Sequence, residues 1–299
     1  MLLETHKRSY THEALFDRAS RLMPGGTLGM FGLPPDLAII PAYGRGAKLY
    51  DVDGNEYVDY LLGSGPLILG HAHPAVVEAV QQQAARASTF YYVNEPALEL
   101  AELIVSAVPC ADKVRFCSSG NEATFFAMRL ARAHTGREKV LKFEGGFHGV
   151  HDYAIHNIWS TGASQSPEPR VESAGVPRGA RETVLVAPFN DVEATAAVIE
   201  ANYRDLAAVI LEPFQRSYPP RPGFLPFLRE ITSKYGIQLI FDEVITGFRF
   251  AWGGAQEYYG VVPDLACLGK IIGGGYPLSA VVGREEVMAH CDNRHKGEP

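Results

Sequence analysis

Lys270 and Asp242 are the residues whose types and spacing point most sharply to chemistry. The run Ile237-Gln238-Leu239-Ile240-Phe241 breaks into Asp242-Glu243. The run Leu265-Ala266-Cys267-Leu268-Gly269 breaks into Lys270, followed by Ile271-Ile272-Gly273-Gly274-Gly275. Each is a short apolar run of the kind that forms a buried strand, and each ends in a charge. A carboxylate and a lysine at the carboxyl ends of two parallel strands share the crevice where open α/β sheets bind ligands. A lysine able to form a Schiff base, with an aspartate to pair a pyridinium nitrogen, is the minimum equipment for pyridoxal 5′-phosphate chemistry.

Other stretches fit the same crevice. Glu212-Pro213 ends the apolar run Ala208-Val209-Ile210-Leu211 and places a third carboxylate at a strand end. Glu243 points to the face opposite Asp242 if the strand persists, so one of the two is structural. Ser118-Ser119-Gly120-Asn121-Glu122 lies between a strand and a helix, where free backbone N–H groups hold a phosphate. The same residues also suit an ordinary N-cap. Phe147-His148-Gly149 follows the next strand, and an aromatic ring there stacks on a planar cofactor or simply packs in a turn. The pairs His71/His73 and His148/His151 have no further partners at zinc-like spacing, so no metal is expected. No G-x-G-x-x-G follows the first strand and there is no G-x-x-x-x-G-K-[ST], which sets a dinucleotide enzyme aside.

These residues need a scaffold, and the chain is patterned for one. Strands are expected at 113–117, 139–143, 183–187, 207–212, 237–241 and 265–268. Helices are expected at 120–135, 191–201 and 223–235, preceded by helices from His73-Pro74 to about Ala87 and from Pro96 to Ala107. This alternation predicts an α/β fold with a mostly parallel sheet. Before it, residues 1–23 read as an amphipathic arm, ended by Pro24-Gly25-Gly26. An Asp53-Gly54 turn between Lys48-Leu49-Tyr50 and Tyr57-Val58-Asp59 reads as a hairpin. The expected division is 1–70 for arm and hairpin and 71–299 for the large domain. The segment from about His156 to Glu182, rich in Ser, Gly and Pro, reads as a mobile loop at the site's mouth.

The chain has 299 residues, 46% hydrophobic and 20% charged, as in globular proteins. A net charge of -7 argues against nucleic acid or an anionic membrane as a main partner. No apolar run is long enough to span a bilayer. The four cysteines form no C-x-x-C pair, and Cys117 and Cys267 sit in apolar runs, which fits a reducing cytoplasm.

Asp242-Glu243-Val244-Ile245-Thr246-Gly247-Phe248-Arg249 and Leu268-Gly269-Lys270-Ile271-Ile272-Gly273-Gly274-Gly275 resemble the signature of class III aminotransferases, of PLP fold type I. The nearest branch is the one similar to glutamate-1-semialdehyde 2,1-aminomutase. Gly70-His71-Ala72-His73-Pro74, Ser119-Gly120-Asn121-Glu122-Ala123 and Lys142-Phe143-Glu144-Gly145 extend the resemblance over nearly the whole chain. It implies a large PLP-binding domain with helices on both sheet faces, and an arm and hairpin belonging to a small domain. It implies that Lys270 carries the cofactor as an aldimine, that Asp242 pairs the ring nitrogen, and that Val244 and Phe147 flank the ring, with His148 beside them. Ser119, Gly120 and Asn121 would hold the phosphate, and Glu212 would sit near the cofactor's O3′ side. The implied activity is ping-pong transfer of an amino group between an amine or amino acid and a keto or aldehyde acceptor, by a homodimer.

Two departures shape the expectation. The aminomutase branch carries an arginine for the substrate carboxylate after the early Pro-Gly-Gly. Here Thr27-Leu28-Gly29-Met30-Phe31-Gly32 supplies none, which favours a transaminase over the aminomutase. The family's C-terminal small domain is also not found before Pro299, so a non-catalytic PLP-binding fragment is a further alternative.

Overall fold

The computed structural model describes residues 12–29, 39–160 and 169–292. They form two compact units, Met1–Thr89 and Phe90–Pro299. The division thus falls beyond the expected 70/71. His71, shortly before helix α2, bridges to Gly46 in the turn between β1 and β2 of the first unit.

The first unit holds α1 (His12–Leu22), the antiparallel strands β1 (Pro41–Arg45), β2 (Lys48–Asp51) and β3 (Glu56–Val58), and α2 (Pro74–Arg86). The Asp53-Gly54 hairpin is present, with Leu49 opposite Tyr57. Its turn is tied by one carboxylate. Asp51 Oδ1 accepts from the amides of Asp53 (3.0 Å) and Asn55 (2.8 Å), and Oδ2 accepts from Asn55 Nδ2 (3.0 Å) and Tyr57 OH (2.8 Å). These donors, the Asn55 side chain foremost, hold the Asp51 carboxyl down to about 2 against the cost of burial.

The second unit holds α3 (Glu95–Ala107), β4 (Lys113–Cys117), α4 (Gly120–Thr135), β5 (Lys139–Phe143), α5 (Arg178–Glu182), β6 (Val184–Ala187), α6 (Val192–Asn202), β7 (Leu206–Leu211), α7 (Phe224–Tyr235), β8 (Gln238–Glu243), α8 (Gly254–Tyr259), β9 (Leu265–Leu268), β10 (Ser279–Gly283) and α9 (Glu285–Met288). The sheet order is β4-β10-β9-β8-β7-β5-β6. Every neighbouring pair is parallel except those made by β10, which runs antiparallel to both β4 and β9. The βα alternation anticipates the parallel strands and misses β10, because an antiparallel strand inserted between them follows no helix of its own.

Both faces of this sheet are covered. Ala208, Ile210 and Ile240 pack under α4, against Ala127, Met128 and Ala131. The alternate residues Val209, Leu211, Leu239 and Phe241 pack with Ile104 of α3, Ile199 of α6 and Leu228 of α7. Part of the segment expected to be mobile has packing of its own. His156 bridges to Val171, and Ile155, Val176 and Ala180 form a small core of their own. Residues 161–168 lie outside the described residues.

Candidate active site

Strands β7, β8 and β9 are neighbours, with Leu211 opposite Phe241 and Glu243 opposite Leu268. Glu212, Asp242 and Lys270 therefore emerge at one end of the sheet, side by side. Strand β4 points the same way, because β10 is antiparallel to both β4 and β9, so Ser118 and Ser119 leave at that end too.

Asp242 lies on the α4 face, two residues beyond Ile240. It is 5% exposed and is met by His148, whose Nδ1 lies 2.8 Å from Oδ2, while the Val244 amide donates to Oδ1 at 3.2 Å. Loss of water pushes the Asp242 carboxyl up, to about 7, opposed by the Val244 amide and the Lys270 charge. The same loss of water pushes the buried His148 ring down, to about 3. The ring is thus neutral, Nδ1 and Asp242 Oδ2 share one hydrogen bond, and Nε2 is buried without a partner among the described residues. Glu243 points to the other face. It accepts from Thr246 Oγ1 (3.0 Å), the amide of Ala255 and the Gln256 side chain (2.9 Å), and so holds the start of α8. Of the two adjacent carboxylates, Glu243 is the structural one.

Lys270 follows Gly269 and is partly buried. Its backbone is left-handed, with φ 47°, a conformation a lysine adopts only where its surroundings impose it. The chain then turns through Gly274 (φ 57°) and Gly275 (φ 101°) into β10, a reversal that needs residues without a Cβ. Burial lowers the Lys270 pKa, and the Asp242 charge opposes that shift.

Helix α4 opens with a reciprocal cap. The Glu122 amide donates to Ser119 Oγ at 3.3 Å, and the Glu122 carboxylate accepts from the amides of Ser118 (2.7 Å) and Ser119 (3.1 Å). Ser119 is thus an ordinary N-cap. The amides of Gly120 and Asn121 are the first-turn donors left without an intrahelical acceptor. The Asn121 side chain is turned elsewhere, since its Oδ1 accepts from the amides of Val150 (2.7 Å) and His151 (3.2 Å). The Asn121 backbone amide thus stays open to an anion while its side-chain oxygen serves the loop of Val150 and His151.

Phe147 is half-buried, and its amide donates to Glu212 Oε2 at 2.9 Å. Burial raises the Glu212 carboxyl. The loop that carries Phe147 and His148 is tied by a residue whose importance the sequence reading missed. Lys142 is fully buried, and its ammonium donates to the carbonyls of Gly146 (2.9 Å), Ala154 (3.2 Å) and His156. Burial lowers its pKa to about 7, while the carbonyl partners favour the charged form. A lysine inside the apolar run Val140-Leu141-Lys142-Phe143 was the available signal.

The types and positions of these residues suit a flat, phosphorylated, carbonyl-bearing group. A Cβ on Gly120 would come within 3.0 Å of the Val244 methyls, and one on Gly269 within 3.2 Å, so Val244 is wedged between the phosphate-type turn and the lysine. The donor set has a cationic amine, a buried carboxylate and two open amides, which matches such a group. Among the described residues, no group of three or more His, Cys, Asp or Glu converges to hold a metal ion.

The family model for Aminotransferase class-III matches residues 35–298. A protein of Methanothermobacter thermautotrophicus named glutamate-1-semialdehyde 2,1-aminomutase is 50% identical over 279 residues, covering 92% of this chain and 65% of its own length. The chain thus spans about two thirds of that relative. An omega-transaminase from Sphaerobacter thermophilus superposes with a TM-score of 0.91 at 42% identity, over 96% of this chain and 67% of that one. A transaminase solved with PLP bound superposes with a TM-score of 0.89 at 34% identity, over 96% and 67%. With these matches in sequence and in fold, the chain belongs to the class-III aminotransferase family.

Proposed function

We propose that the protein is a pyridoxal 5′-phosphate-dependent aminotransferase that moves an amino group between an amine or amino acid and a keto or aldehyde acceptor. The observation that carries this reading is the convergence of Lys270 and Asp242 at the ends of β9 and β8, beside the open amides of α4. The bound cofactor supplies an electron sink for the carbanion left when a proton departs from the substrate carbon. The chain does the rest. Lys270 binds the cofactor covalently and, once released, carries the proton on Nζ; burial lowers its pKa toward the range a base needs. Asp242 holds the proton on the ring nitrogen, and His148 orients Asp242 through Nδ1. Val244 and Phe147 flank the ring, Glu212 fixes Phe147 through its amide, and the amides of Gly120 and Asn121 hold the phosphate.

Borohydride reduction followed by peptide mapping tests this reading. The pyridoxyl label is expected on Lys270, and a label on another lysine overturns the assignment.

The aminomutase name of the 50%-identical relative favours a second reading, an amino shift within one molecule. Product analysis separates the two. A transaminase releases a keto product, whereas an aminomutase returns an isomer and needs no acceptor.

The proposed assembly is a homodimer, supported by the consecutive exposed residues Phe90, Tyr91, Tyr92 and Val93. Light scattering that shows an active monomer would remove it. The four cysteines are free, which supports a reducing compartment such as the cytoplasm as the proposed location.

A further inference from the structure

We propose that the cavity at the carboxyl ends of β5, β6 and β7 anchors the carboxylate of a substrate with a flat apolar tail, and that Arg216 is the anchor. The proposal rests on the aminotransferase reading and names the substrate class of that site.

The cavity encloses about 690 Å³. Trp159, Phe189 and Tyr218 give it aromatic walls, and Arg216 and Arg221 give it positive charge, against one carboxylate, Glu144. Arg216 also reaches the site already described. Its guanidinium carbon lies 5.2 Å from the centre of the Phe147 ring, and Nε lies 4.0 Å from Glu212 Oε2. One side chain thus touches the residue that flanks the cofactor and lines the adjoining cavity.

Arg216 is held in place for such a task. Its backbone is left-handed, with φ 56°, a costly state for an arginine. Nε donates to the Gly145 carbonyl at 3.2 Å and Nη2 to the Ile158 carbonyl at 3.3 Å. Those bonds use two of the five N–H groups of a guanidinium. Nη1 donates to nothing among the described residues. A braced guanidinium with a free edge recognises a planar carboxylate, and its order is established before the ligand arrives. Arg221 adds charge, and its guanidinium has no partner among the described residues. Gln215 contributes a buried acceptor, because its Nε2 donates to the Glu144 carbonyl at 2.8 Å while its Oε1 has no partner. The run from Thr27 to Gly32 offers no arginine for the role, so the positive charge comes from a different element, the turn after β7.

The protein has two tryptophans, Trp159 and Trp252, so Trp252→Phe leaves Trp159 as a fluorescence reporter inside the cavity. In that background, 3-phenylpropanoate and its uncharged amide are titrated against the parent, Arg216→Lys, Arg216→Met and Arg221→Met. The acid is expected to bind at least roughly tenfold more tightly than the amide. Arg216→Met should abolish the difference, Arg216→Lys should retain part of it, and Arg221→Met should reduce it slightly. Equal binding of acid and amide by the parent overturns the proposal, as does undiminished discrimination in Arg216→Met. Pyridoxyl labelling of Lys270 is followed in the same samples. Loss of labelling in the parent, with acid discrimination intact, counts against the aminotransferase reading and not against the carboxylate site.

Discussion

Asp51 and Asp242 are both withdrawn from water, at 3% and 5% exposure, and they titrate in opposite directions. Asp51, in the first unit, has four donors on its two oxygens and is held down to about 2. Asp242, at the sheet end of the second unit, has the Val244 amide and one histidine ring nitrogen and is pushed up to about 7. Hydrogen bonds dominate at Asp51, led by the Asn55 side chain, whereas loss of water dominates at Asp242, which lies deeper and has fewer donors. A saturated carboxylate ties a turn. An under-satisfied one at a strand end keeps an affinity for a cation or a proton, which suits it to hold a protonated ring nitrogen. Lys142 is as buried as either aspartate, and although its ammonium meets three carbonyls, burial still lowers its pKa to about 7.

The largest expected effect comes from removing the lysine that faces Asp242. Lys270→Ala should lower amino transfer at least about a thousandfold and abolish the pyridoxyl label. Because the Lys270 charge also draws the Asp242 pKa down, the variant's cofactor-free form should hold the Asp242 proton to higher pH, as infrared titration of the carboxyl would read. Unchanged turnover would remove Lys270 from the chemistry.

Lys142→Met should destabilise the second unit by about 3 kcal/mol, because it strands the carbonyls of Gly146, Ala154 and His156 in a dry interior. Denaturant unfolding measures this, and a loss under ~1 kcal/mol would show that the loop stands without its tie.

Asp242→Asn should retain bound cofactor and lose roughly a hundredfold or more in turnover, since the amide keeps the shape without the charge. It should also reshape the pH dependence of stability in the cofactor-free protein. Asp242's folded pKa lies above its unfolded value, so the native state holds the extra proton between about 4 and 7 and Asp242's contribution to stability falls as pH rises through that window. The variant should therefore gain on the parent from pH 4 to 7 in thermal melts, and a constant difference would contradict the raised pKa.

The smallest effect is expected at Asp51. Its folded pKa is depressed, so its stabilising share is present above about pH 4 and fades as pH falls toward 2. Asp51→Asn should lower the melting midpoint by a few degrees at neutral pH, lose that deficit in acid, and leave Lys270 labelling intact.

Much of this was legible in the sequence where local chemistry and tertiary packing agree. The bounds of β4, α4 and β5 fall where the pattern puts them, because Ser119 and Glu122 cap one end of α4 and Gly136 closes the other with a left-handed φ of 67°. Asp242 and Lys270 could be placed at strand ends because apolar runs break into charge there. What escaped depends on distant partners. Lys142 is explained only by carbonyls from a loop that folds back over it, and the Asn121 side-chain oxygen is explained only by amides of that loop. Arg216 sits in a turn with no periodicity, and its meaning comes from Phe147 and a cavity wall.

The position of β10 bears on how the protein is made. Strand β4 is an early strand of the second unit, yet its partner in the sheet is β10, and Ser279 Oγ bonds the carbonyl of Ser119 across 160 residues of chain. During synthesis β4 waits with an unpaired edge until the strand after Lys270 is available to pair with it. Closing so long a loop is slow, and an open edge meanwhile invites pairing with other chains. The turn that ends in Ser119 and the segment that carries Lys270 are joined by that strand, so a growing chain should not hold cofactor until β10 has emerged and paired.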